Sequence, residues 1–234
     1  MNKLKTNSLL FVALIFSLYV SFAYGTLYYS STMGPDYSYY KGYFDYFFGI
    51  KENTNLEQGL IYFYFSSLFL SFKSEYINQI NYLEIISHSI QLANFVFYLL
   101  GLFGLYVFLR KKNFQTNIIL TVLILLNFFP PLVELRLLFK LEIILFPLLI
   151  WAINFLDEYL INPEKKYLFF SILPLGLALT TKANSGVMIF TYFMIFYFWA
   201  VFRKNKNNFI VGFFILLSFF ILLSYENLRT KNID

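Results

Sequence analysis

Apolar runs near 20 residues long recur along this chain, separated by short clusters of Lys and Arg. A run of that length matches a hydrocarbon core about 30 Å thick. In water, such a chain would carry large apolar surfaces with nothing to bury them. Composition agrees: 59% of the residues are hydrophobic and 13% charged, against about 25% charged in a soluble domain. The sequence predicts an all-α, polytopic membrane helix bundle, a single transmembrane domain over residues 1–234. The net charge of +5 lies mostly between the runs, so it reports orientation and implies no nucleic-acid partner. There is no Cys and one His, His88. Disulfides, thiolate catalysis and multi-His metal sites within the chain are thereby excluded.

The basic clusters set the topology. MNKLKTN precedes a first run, Ser8 to Tyr29, read as an uncleaved first span (residues 1–30) with Lys3 and Lys5 inside. The next span, Ile85 to Leu109, closes on Arg110, Lys111 and Lys112. Two crossings fit between these inside markers, so residues 31–84 form a long external loop. Its one apolar piece, Leu60 to Phe72, would rise only about 20 Å as a helix and is read as surface-lying or re-entrant. Residues 85–234 hold six spans: Ile85 to Leu109, Asn117 to Pro131, Leu141 to Tyr159, Tyr167 to Thr181 interrupted by Pro174, Ala183 to Phe202, and Phe209 to Tyr225. Pro130-Pro131 should break the third helix, and LVELRLLFK is read as an outside connection. The total is about seven spans, of roughly 20 residues each. The expected setting is a multi-pass protein of a bacterial-type plasma membrane, N-terminus cytoplasmic.

Polar chemistry first appears outside, in GPDYSYYKGYFDYFFG, Gly34 to Gly49. Pro35 suits a first helical turn, and Asp36 would sit at the positive end of the helix dipole. Asp36, Tyr39, Tyr40, Tyr43, Phe44 and Phe47 share one face at helical spacing, an aromatic stripe fitting the membrane interface. Lys41 and Asp45 read as a solvated i, i+4 pair. By pattern alone Asp36 is a helix-start acid, and Glu57 in NLEQGL caps the short apolar piece. A second set, Arg136, Lys140 and Lys182, emerges at outside ends of spans. Cations there hold phosphate or snorkel to headgroups, and Glu134–Arg136 and Lys140–Glu142 are the pairs that would neutralise each other. His88, Gln91 and Asn94 form a polar stripe between helices.

This arrangement resembles the GT-C superfamily of integral-membrane glycosyltransferases, which includes protein mannosyltransferases and aminoarabinose transferases. The matching features are Asp36 in GPDYSYY at the start of the first external loop, the aromatic helix to Phe48, the piece Leu60 to Phe72, and the segments RLLFKLEIILFPLL and LALTTKANSGVM. The resemblance implies transfer of a sugar from a polyprenyl-phosphate-linked donor to an acceptor on the extracytoplasmic face. Asp36 would be the catalytic base; Arg136, Lys140, Lys182, Tyr39 and Tyr40 would contact substrate or phosphate; Asp45 and Glu57 would be acidic partners. Many members carry two adjacent acids, whereas Tyr37 follows Asp36 here. No cofactor is expected, and a divalent metal has no support. The partners implied are the lipid-linked sugar donor and membrane lipids. Rival readings are a lipid-linked oligosaccharide flippase, a polysaccharide polymerase, and a non-catalytic membrane subunit. A close soon after the seventh span, at ENLRTKNID, makes a fragment one expectation.

Overall fold

A computed structural model describes residues 3–28, 42–45, 61–71, 82–138, 140–179, 181, 195, 197–214 and 217. Among the described residues every regular element is helical. In chain order these are α1 (Lys3–Tyr28), α2 (Ile61–Ser71), α3 (Tyr82–Lys111), α4 (Thr116–Asn127), α5 (Pro130–Leu137), a 3₁₀ turn (Leu141–Ile144), α6 (Leu145–Ile161) and α7 (Lys165–Leu179). Residues 197–204 and 206–214 are also helical. Among the described residues, three helices are long and apolar enough to cross a membrane, and a fourth crossing is available if the bent pair α4–α5 is one span.

The basic ends gather at one end of the bundle, which gives the charge clusters a common side. α3 closes in a Schellman turn: Phe114 N–H bonds Leu109 O at 3.1 Å and Asn113 N–H bonds Arg110 O at 3.0 Å. Asn113 takes the left-handed conformation there, φ 62°, which Asn tolerates better than most side chains. The chain then reverses into α4, and Arg110 bonds the Thr116 hydroxyl at 3.1 Å. α3 and α6 run in the same direction, because Lys111 meets Glu158 at 2.6 Å and Lys112 meets Asp157 at 2.5 Å. α1 runs alongside α4 in the same sense, since Asn7 and Thr116 lie at one end of a shared groove and Ser17 bonds Asn127 near the other.

Two glycines draw α3 onto α6. A Cβ on Gly101 would collide with the Phe146 ring, and one on Gly104 would come within 2.8 Å of Ile150 Cγ2. Small residues allow this close approach, which in a membrane supplies packing that solvent exclusion cannot. Asn154 donates to Gly104 O at 2.8 Å across the same interface. A second core joins α6, α7 and residues 197–209 through Leu156, Tyr159, Ile172, Leu175, Tyr197 and Val201.

Three expectations change. α7 continues through Pro174 to Leu179 without interruption; neighbouring helices tolerate a proline in a membrane helix because the freed backbone groups are satisfied locally. The chain does break at Pro130-Pro131, as a 59° bend between α4 and α5. Yet LVELRLLFK is mainly helical, because Pro130 occupies the first turn of α5, where its missing N–H costs nothing. Asp45 is not part of a solvated pair: it is 2% exposed. Residues 42–45 form a helical turn pressed on α2, with Tyr43 stacked on Phe63 at 4.1 Å and Phe44 edge-on at 5.6 Å.

Candidate functional site

The elbow between α4 and α5 collects the polar side chains that the helices bury. α3 contributes Gln91, Asn94 and Tyr98, spaced to share one face. Gln91 Nε2 donates to Leu137 O at 3.4 Å and Asn94 Nδ2 to Leu138 O at 2.9 Å. These are the carbonyls at the end of α5, which no further helical turn satisfies. Tyr62 of α2 donates to Asn94 Oδ1 at 2.7 Å, so α2 is held to the elbow through the same residue. The buried polar stripe expected from Gln91 and Asn94 is therefore present, and its task is to cap α5.

Arg136 lies inside this frame at 1% exposure. Its guanidinium stacks over the Tyr98 ring at 4.7 Å, and Nη2 donates to Asn127 O at 3.4 Å. The Tyr98 hydroxyl donates to Asn127 Oδ1 at 2.7 Å, and Asn127 Nδ2 donates to Ser17 Oγ at 2.7 Å. Ser17 in turn donates to Leu14 O at 2.8 Å. One chain of contacts thus links α1, α3, α4 and α5. Arg136 Nε and Nη1 remain buried without a hydrogen-bond partner. A buried charge is costly unless paired, so the π face and one long bond leave anion-binding capacity unused.

Lys140 pairs with Glu134, instead of the expected Glu142. Glu134 also lines a cavity of about 510 Å³ on the outer face of α5, with Phe128, Pro130, Val133, Leu137 and Leu138. Arg136 does not line it; it projects from another face of the helix. The elbow therefore brings Arg136 and Lys140 into one region, with Glu134 beside Lys140. Asp36, Tyr39, Tyr40, Glu57 and Lys182 lie outside the described residues, and the side chain of His88 does as well. Among the described residues, no three His, Asp or Glu side chains gather closely enough to hold a metal.

Sequence reasoning missed Ser17, Tyr98 and Asn127, and it paired Glu134 with Arg136, whereas Glu134 meets Lys140. Asn127 carries a usable signal, a lone carboxamide closing the apolar run IILTVLILL. Tyr98 is one of 20 tyrosines, and nothing local distinguishes it.

Comparison with known proteins places this framework. No curated protein and no solved structure matches the chain. A family model described as dolichyl-phosphate-mannose-protein mannosyltransferase matches residues 80–225. The match begins just before α3 and takes in the elbow, Arg136, Lys140 and Lys182; Asp36, Tyr39, Tyr40, Asp45 and Glu57 precede it. It covers more than half of the chain, which therefore belongs to this GT-C type family of integral-membrane glycosyltransferases.

Proposed function

We propose that the protein transfers a sugar from a polyprenyl-phosphate-linked donor to an acceptor hydroxyl on the extracytoplasmic face of a bacterial-type plasma membrane. The N-terminus lies in the cytoplasm in this reading, as the basic ends of α1 and α3 favour. The family match over residues 80–225 carries the proposal.

The acceptor oxygen attacks the anomeric carbon, and the bond from that carbon to the phosphate oxygen breaks. The acceptor proton passes to the Asp36 carboxylate, and the polyprenyl phosphate departs with the bonding electron pair. Asp36 is the general base. Arg136, Lys140 and Lys182 are the cations available to the departing phosphate. Arg136 has the strongest local support, because two of its buried guanidinium nitrogens have no protein partner. Lys140 would have to share its charge between Glu134 and the phosphate. Tyr39 and Tyr40 contact the sugar, while Asp45 and Glu57 are acidic partners of the loop.

The full chain is reconstituted in vesicles with radiolabelled polyprenyl-phosphate mannose and a hydroxylated peptide acceptor. Label should pass to the peptide, and Asp36→Asn should lower the rate by about 10²–10⁴-fold. Unchanged transfer by Asp36→Asn removes the assigned base. Movement of the labelled lipid between leaflets without any transfer indicates a flippase instead.

A further inference from the structure

A groove separate from the elbow lies between α1, α3 and α4, with a volume of about 650 Å³. Asn7 of α1 and Thr116 of α4 line one end; Leu18, Leu99 and Leu123 line the other. From residue 7 to residue 18, a helix rises about 16 Å, close to half of a hydrocarbon core about 30 Å thick. The groove is therefore one leaflet deep. Its polar lining is confined to the end where the basic residues gather. There the exposed Arg110 holds Thr116 at 3.1 Å. Asn7 Oδ1 is buried at the same end with no hydrogen-bond partner. Toward the other end, the Ser17–Asn127 bond ties α1 to α4.

We propose that this groove binds one acyl chain of an anionic phospholipid from the leaflet at the basic end of the bundle. The phosphate lies against Arg110, and a headgroup hydroxyl donates to Asn7 Oδ1. The chain fills the space between α1 and α3, so lipid completes a contact that the protein leaves open. Depth and charge select this occupant. A cavity of about 650 Å³ spread over about 16 Å of helix rise leaves too little cross-section for a second helix about 10 Å across, and a zwitterionic lipid would set its own ammonium beside Arg110 and offer Asn7 Oδ1 no hydroxyl. The donor assigned to the elbow enters from the opposite leaflet, so the two sites are independent.

Two measurements test the site on the full chain. In the first, the protein is taken from mixed vesicles of phosphatidylglycerol and phosphatidylcholine into mild detergent, and retained lipid is counted by native mass spectrometry. Wild type should retain phosphatidylglycerol with about fivefold preference, the size expected for one basic residue near an anionic lipid. Arg110→Gln should keep a lipid but lose the preference, and Leu120→Trp, which fills the groove, should lose both. Equal retention of the two lipids by wild type, or a preference unchanged in Arg110→Gln, overturns the proposal. The second measurement needs no variant. Phosphatidylglycerol with a photoreactive acyl chain should label Leu99, Leu102 or Leu123 above the exposed Leu9 and Phe16, which lie outside the groove. Labelling spread evenly over exposed faces overturns it.

Discussion

Two helix pairs of this protein solve the same packing problem in opposite ways. α3 and α6 approach through Gly101 and Gly104, with Phe146, Ile150 and Trp151 filling the glycine faces. Asn154 and Trp151 donate to backbone carbonyls of α3 at 2.8 and 3.2 Å, and two ion pairs fasten the ends. α1 and α3 lack such a seam and scarcely approach each other. The groove lies between them, lined by Leu14 and Leu18 of α1 and by Leu99 and Leu102 of α3; α1 is held to α4 instead, by close packing and by the Ser17–Asn127 bond. Much of α1 also faces outward, with Leu9, Val12 and Phe16 more than 60% exposed. Close packing of small against large residues needs no third component. A pair that scarcely meets leaves a space that hydrocarbon must fill, because empty volume forfeits dispersion contacts.

The largest effect is expected at the tight pair. Gly101→Leu should cost about 3 kcal/mol, since added volume displaces a packed ring, measured by unfolding in detergent. Adding Phe146→Ala should recover part of the loss; strict additivity of the two changes would mean that they do not meet. A smaller effect is expected where α1 is tied to α4. Asn127→Leu should cost about 2 kcal/mol, because it strands the Tyr98 hydroxyl in a low-dielectric setting and removes the bond to Ser17, which keeps only its bond to Leu14 O. Asn154→Leu should cost about half of that, since the Gly104 carbonyl keeps its helical bond. If Asn154→Leu proves the costlier, the tight pair depends on its polar clasp more than on its glycines.

The smallest effect lies just past α6. The hydrogen bond from Lys166 holds the exposed Glu164 carboxyl below the usual carboxylate range, aided by Asn162. A lowered folded-state value favours the folded chain above the ordinary carboxylate range, and that advantage is lost as pH falls through Glu164's own midpoint. Lys166→Ala should move the Glu164 midpoint upward in an NMR titration while leaving the α3–α6 seam unchanged. An unmoved midpoint would show that the pair seen here, at 2.7 Å, is not maintained in solution.

Much of the fold was legible along the chain. The run Ile85 to Leu109 became α3, Leu141 to Tyr159 became the 3₁₀ turn and α6, and the double proline became the elbow. These follow from local rules: length against bilayer thickness, charge at span ends, and a missing N–H. The site was less legible. Arg136 stood out as a cation at a span end, but its burial against Tyr98 did not. Asp45 looked solvated because Lys41 lies four residues away, and only the stacking of residues 42–45 on α2 places it inside.

The sequence by itself determined that the chain is helical, that it belongs in a membrane, where several of its helices begin and end, and which ends are basic. Tertiary structure decided which faces meet: glycines against rings in one pair, a groove in the other, and a guanidinium between Tyr98 and Asn127. The reason lies in the solvent. In water, an apolar stripe marks the face of a helix that turns inward. In lipid, inward and outward faces are both apolar, so hydropathy sets the length of a helix but not its rotation. That rotation is chosen only when helices pack, and with it the partners of Arg136.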